Sequence, residues 1–157
     1  MGFFATTAGK LLMTFGIAMT PILELRGAIP AGIAAGLSPW VTFCVSVLGN
    51  MLPVPFILLL IRRIFDWLRH TKTMGPQILR LETRAHIKGR MVRKYRTAGL
   101  ILLVAVPLPG TGAWTGALVA ALLDMRLKTA FPAILAGVMI AGGLVMGLTC
   151  GVIHLAG

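Results

Sequence analysis

Acidic residues are nearly missing from this chain. Glu24, Asp66, Glu82 and Asp124 are the whole supply in 157 residues, so no pair of carboxylates lies within an apolar stretch for acid–base work. No cluster of acids, histidines and cysteines has metal-ligand spacing, and no bound metal is expected. The two cysteines, Cys44 and Cys150, lie inside apolar runs and read as small buried hydrophobes, not as a disulfide or a thiolate pair. A Ser, His and Asp constellation, a Walker lysine spacing and a dinucleotide-binding unit are all lacking, so the expectation is neither an enzyme nor a cofactor protein.

Charge of any kind is scarce: 12% of residues are charged against 57% hydrophobic, with mean hydropathy +0.92. That balance identifies an integral membrane protein. Fifteen Lys and Arg leave a net charge of +11, and most of them lie between Arg62 and Arg96. Basic loops stay on the cytoplasmic side, so the 62–96 segment is expected inside and both termini outside. Such a block also attracts anionic lipid head groups. The apolar flanks argue against nucleic acid as the partner. Protons and a second copy of the chain remain candidate partners.

Four apolar regions follow: Leu11 to Leu37, Trp40 to Ile61, Ala98 to Leu123 and Thr129 to Leu155. The second and fourth reach the roughly 20 residues that a span requires, and Ser38-Pro39 is a good helix start. The first and third are cut near the middle, leaving arms of about a dozen residues, too short to cross at the helical rise. Each reads as a re-entrant hairpin with its tip at membrane depth, although a pair of long tilted spans remains an alternative. Shifted by 86 positions, Pro21 falls on Pro107, Ala31 on Ala117, Ala34 and Ala35 on Ala120 and Ala121, and Leu37 on Leu123. One crossing per unit inverts the second unit relative to the first.

The expected fold is therefore an all-α integral membrane protein, an inverted repeat of re-entrant helical hairpin plus transmembrane helix. It forms a single membrane domain, 1–157, with repeat units 1–61 and 97–157. Between them, Ile64, Trp67 and Leu68, then Ile87, Met91 and Tyr95, recur at helical spacing among basic residues. That pattern describes amphipathic interfacial helices broken at Gly75-Pro76, or else a solvated flank. Glycines four apart at Gly32 and Gly36, Gly112 and Gly116, and Gly143, Gly147 and Gly151 read as close helix packing.

The two cuts carry the chemistry. Hydrocarbon leaves freed backbone groups unsatisfied, so a broken membrane helix survives where it is buried in protein or lines a cavity. The first tip is Glu24-Leu25-Arg26-Gly27-Ala28-Ile29-Pro30. A carboxylic acid withdrawn from water takes up a proton more readily, whereas Arg26 opposes that and stays charged. Glu24 is the candidate proton carrier and Arg26 the candidate anion binder, with Gly27 and Pro30 beside them; a fixed ion pair that shapes the hairpin is the bland alternative. A direct pair would require a non-helical tip, because i and i+2 diverge on a helix. The second tip is Pro107-Leu108-Pro109-Gly110-Thr111-Gly112-Ala113-Trp114. A helix starting near Ala113 would aim free amides and its positive end at the midplane, with Thr111 adding a hydroxyl. Pro107, Pro109, Gly110, Gly112 and Trp114 complete this candidate substrate site, and a plain tight turn is the alternative. Asn50, near Pro53 and Pro55, could bond across to a hairpin.

These two motifs, the second extended through Thr115-Gly116, resemble the signatures of the small multidrug export family, a compact bacterial branch of the DedA superfamily. The resemblance covers nearly the whole chain. It implies paired re-entrant hairpins in an inverted repeat, residence in the bacterial inner membrane, and a superfamily role in transport. Translocation of polyprenyl phosphate carriers or other phospholipids, dependent on proton motive force, belongs to that implication. The superfamily's acidic residue in the first hairpin is matched by Glu24. Arginines that better-known members carry in the second half have no counterpart between Pro107 and Leu123; Arg96 or Arg126 stand at its base. The expected function is proton-coupled translocation of an anionic lipid, with export of small cationic drug-like molecules and a non-transporting membrane scaffold as alternatives.

Overall fold

A computed structural model describes residues 6–69, 89–106 and 111–156, and every regular element among them is an α-helix. Helix α1 (Thr7–Met19) begins where the Thr6 hydroxyl accepts the Gly9 N–H at 3.2 Å. It ends because Thr20 precedes Pro21 and is pushed to extended backbone, φ −73° and ψ 140°. Helix α2 (Glu24–Ala34) closes on Gly36, whose φ of +85° lets the Leu37 N–H reach the Gly32 carbonyl at 3.0 Å. Ser38-Pro39 then opens α3 (Pro39–Met51), as its sequence predicts.

Helix α4 (Pro53–Arg69) follows α3 after a break at Leu52. Pro53 and Pro55 lack the N–H groups that would bond the carbonyls of Gly49 and Met51, which explains the interruption. Together α3 and α4 hold an apolar stretch of 26 residues, Pro39–Ile64, with mean hydropathy 2.2. Helix α5 (Gly89–Ala105) leads to the second tip, α6 (Ala113–Leu122) leaves it, and α7 (Leu127–Ala156) contains the 29-residue stretch Leu127–Leu155. These two stretches are long and apolar enough to cross a membrane. Phe56 (68% exposed) and Leu148 (66%) stand out on their surfaces, as side chains facing lipid do and core side chains do not.

Each pair of short helices folds back on itself. A Cβ added to Gly36, at the end of α2, would lie 3.6 Å from Lys10 Nζ near the start of α1. In the other pair Arg96 of α5 donates to the Leu123 carbonyl after α6 at 2.9 Å. The long helices run antiparallel: Pro39 at the start of α3 shares a crevice with Cys150 and His154 near the end of α7, and Arg62 of α4 donates to the Met125 carbonyl just before α7. Ile29, Val54, Leu58, Leu100, Ile134 and Val138, all essentially inaccessible, form the core between them.

One contact recurs in both halves. An added Cβ on Gly49 would lie 2.7 Å from Phe15 O and 3.0 Å from Ala18 Cβ; on Gly137 it would lie 2.9 Å from Ile101 O and 2.6 Å from Val104 Cβ. Phe15 and Ile101 are 86 positions apart, but Gly49 and Gly137 are 88 apart. The uniform 86-position register is thus corrected: it holds for α1 and α5, and beyond the tips it becomes 88. The positive-φ caps are accordingly Gly36 and Asp124, φ 50°, and Leu37 corresponds to Met125, which donates to Ala120 O at 2.9 Å.

Other expectations change with depth of packing. Gly32 and Gly116 do pack, since added Cβ atoms would meet Thr42 and Val104 at 2.5 Å. Gly36 is a helix cap instead, and Gly143, Gly147 and Gly151 have nothing within 4 Å. Cys44 is exposed and Cys150 half-buried, because lipid, like a core, accepts an apolar surface. The described ends of the basic segment prolong α4 to Arg69 and begin α5 at Gly89; Gly75-Pro76 and Ile87 lie outside the described residues.

Candidate functional site where the two tips meet

The N-terminus of α6 has amides with no partner in their own helix and the positive end of its dipole. The first tip supplies the complement. Glu24 begins α2 in the left-handed region, φ 49°, is 5% exposed, and its Oε1 accepts the backbone N–H of Trp114 at 3.4 Å. Its carboxylate lies directly over Gly112, where any Cβ would overlap it. Gly112 has extended backbone, φ 171°, which every residue adopts. A side chain at 112 would therefore have to displace the neighbouring carboxylate, whereas the torsions of this residue set no such limit.

Arg26 reaches across the same junction. Its Nη2 donates to the Thr111 carbonyl, to Thr111 Oγ1 at 3.0 Å and to Val106 O at 3.4 Å. The Thr111 hydroxyl in turn donates to Val106 O at 2.8 Å, so one guanidinium and one hydroxyl gather the end of α5 and the start of α6. Trp114 returns the connection through its indole Nε1, which donates to Met19 O at 3.2 Å, a last-turn carbonyl of α1 that its own helix leaves unpaired. Three side chains thus join four helix ends.

Glu24 and Arg26 both lie in the first turn of α2, where i and i+2 diverge, and each engages a different part of the second tip. The non-helical alternative for this tip is not what forms. Ala113 is fully buried and opens α6 as expected, while Pro107, Pro109 and Gly110 lie outside the described residues. Gly27 faces Leu23 and Ile17, at 2.9 and 3.6 Å from an added Cβ, so it packs the inside of the first hairpin. Pro30 lies within α2 and removes the donor for the Arg26 carbonyl. Asn50 is fully buried, with no partner for either amide atom among the described residues. Met19 and Val106 escape a sequence reading because they act through main-chain oxygens; Met19 ending α1 and Val106 following the end of α5 is the available signal.

A family model described as "Putative small multi-drug export protein" matches residues 24–144. The chain belongs to this family. The match opens on Glu24 and takes in both tips, the first long apolar stretch and the second as far as Leu144. Small multi-drug export is a transport role, not an enzyme class, and together with the two apolar stretches it marks this family member as a membrane protein. No curated protein and no solved structure matches the chain.

Proposed function

We propose that the chain is a proton-coupled transporter of the bacterial inner membrane, of DedA superfamily type, in which the junction of the two tips is the gate. The observation that carries this reading is the Glu24 carboxylate on the Trp114 amide. While ionised, Glu24 serves as an internal anion for the α6 N-terminus and holds the tips together. Once protonated it releases that amide, and an anionic head group, such as that of a polyprenyl phosphate or phospholipid, takes its place with Arg26 beside it. Proton and anion thus bind together, which couples one to the other.

The architecture behind this is an inverted repeat of two re-entrant hairpins, each followed by a crossing helix, with the basic segment cytoplasmic and both termini outside. It is supported by hairpin ends at Lys10 with Gly36 and at Arg96 with Leu123, by tips that meet between them, and by the antiparallel long helices. With α1 and α2 about 20 and 16 Å long at the helical rise, neither crosses a hydrocarbon core of roughly 30 Å. A second reading, export of small cations in exchange for protons, is favoured by the family's description and by the aromatic Trp114 beside Glu24. Purified protein in liposomes with an imposed pH gradient decides between them. Movement of a fluorescent polyprenyl phosphate supports the first, movement of a fluorescent organic cation the second, and movement of neither overturns both.

A further inference from the structure

Arg62 of α4 and Arg96 of α5 converge on a single turn at the end of α6, donating to the carbonyls of Met125 and Leu123. Both are half-buried, both keep a buried Nε without a hydrogen-bond partner, and neither is ion-paired among the residues whose side chains are described. The carbonyl end of α6 contributes about half a negative charge against two whole positive ones. On the same connection Asp124 offsets one charge and Arg126 and Lys128 add two, so a positive excess is left at this level of the molecule.

Directly beside it runs an open groove of about 410 Å³, with Tyr95 and Arg96 at its mouth and Gly99, Leu100, Leu103, Val119 and Leu123 along its floor and walls. The sequence of α5 changes from basic to apolar at Arg96 and Thr97, which sets the mouth at the membrane interface and the floor in hydrocarbon. Tyr95, 65% exposed, is the residue type that marks that boundary.

We propose that this groove holds one anionic phospholipid as a resident ligand, its phosphate at Arg96 and part of an acyl chain between α5 and α6. The volume falls within the roughly 300–1,000 Å³ of ligand pockets. An apolar groove open to a bilayer accepts any acyl chain, so Arg96 decides which head group stays. A free phosphate would gain nothing from the apolar floor, which is why the occupant is a lipid. The site is separate from the tip junction and does not rest on the transport reading.

The test is native mass spectrometry of the full chain in a mild detergent with equal phosphatidylglycerol and phosphatidylcholine of the same acyl chains. Wild type should retain phosphatidylglycerol about fivefold more, the effect of one surface arginine. Arg96→Gln should remove that preference and Arg96→Lys should keep it. Gly99→Leu should reduce retention of both lipids without unfolding the chain, because an added Cβ there meets nothing within 4 Å. Gly143→Leu, at an open position of α7 outside the groove, should change neither. Equal retention of the two lipids by wild type, or full retention by Gly99→Leu, overturns the groove as the site. A preference for phosphatidylglycerol that persists in Arg96→Gln overturns it as well.

Discussion

The carboxylate of Glu24, in the first hairpin, sits against the main chain of Gly112 and accepts the N–H of Trp114 in the second. Each hairpin therefore carries a group that the other uses: an acid at the start of α2 whose carboxylate turns to α6, and a helix start without a capping side chain of its own. This contact makes Glu24 a structural clasp between the tips, and in the proposed mechanism a proton opens it.

Adding one methyl group at Gly112 should push Glu24 away. Gly112→Ala is expected to lower stability by about 1–3 kcal/mol, as overpacking does, measured as a lower midpoint of thermal unfolding in detergent. Glu24→Asp withdraws the carboxylate by one methylene and should recover part of the loss in the double variant. A coupling of about 0.5 kcal/mol or more marks the two residues as touching, and strict additivity argues that they do not.

Glu24→Gln is uncharged, as the protonated acid is, so it loses the charge-assisted bond to the Trp114 amide, and it cannot exchange a proton. The protein should stay folded, with a loss of about 1 kcal/mol or less, while transport driven by a pH gradient disappears. Arg26→Lys retains charge but is shorter and lacks the planar guanidinium whose Nη2 meets Thr111 and Val106, so it should cost about 1–3 kcal/mol of stability and weaken binding of a phosphate-bearing lipid. Wild-type transport by both variants would reduce the junction to a structural clasp.

The glycines sort by what lies above them. Gly49→Ala and Gly137→Ala would press a methyl group onto Phe15 O and Ile101 O, and each should destabilise by about 1–3 kcal/mol. Gly143→Ala and Gly147→Ala point into open space and should be neutral or favourable by up to about 1 kcal/mol through helix propensity. The two groups should separate cleanly in unfolding midpoints.

Single cysteines at Lys10 and Thr83, in a background without Cys44 and Cys150, should react with a membrane-impermeant reagent from opposite sides of the cell membrane. Reaction of both from one side would leave the antiparallel long helices unexplained by an inverted pair of units.

What the sequence by itself determined is the membrane class, the two long apolar stretches and the places where short helices must stop. Thr20-Pro21, Ser38-Pro39 and the Pro53 with Pro55 break act through local torsions and missing N–H groups, which are written residue by residue. The start of α6 at Ala113 and the pairing of motifs around the two tips were legible for the same reason. The partner of each charge was not. Glu24 and Arg26, two residues apart, suggest a mutual ion pair, but both reach a segment some 85 to 90 positions away, and a helix of opposite origin presents its free amide there. The 88-position offset, the carboxylate over Gly112 and the convergence of Arg62 and Arg96 on one helix end likewise came only with the tertiary structure. They depend on which backbone groups approach in space, and a main-chain oxygen or amide looks the same at every position of a sequence.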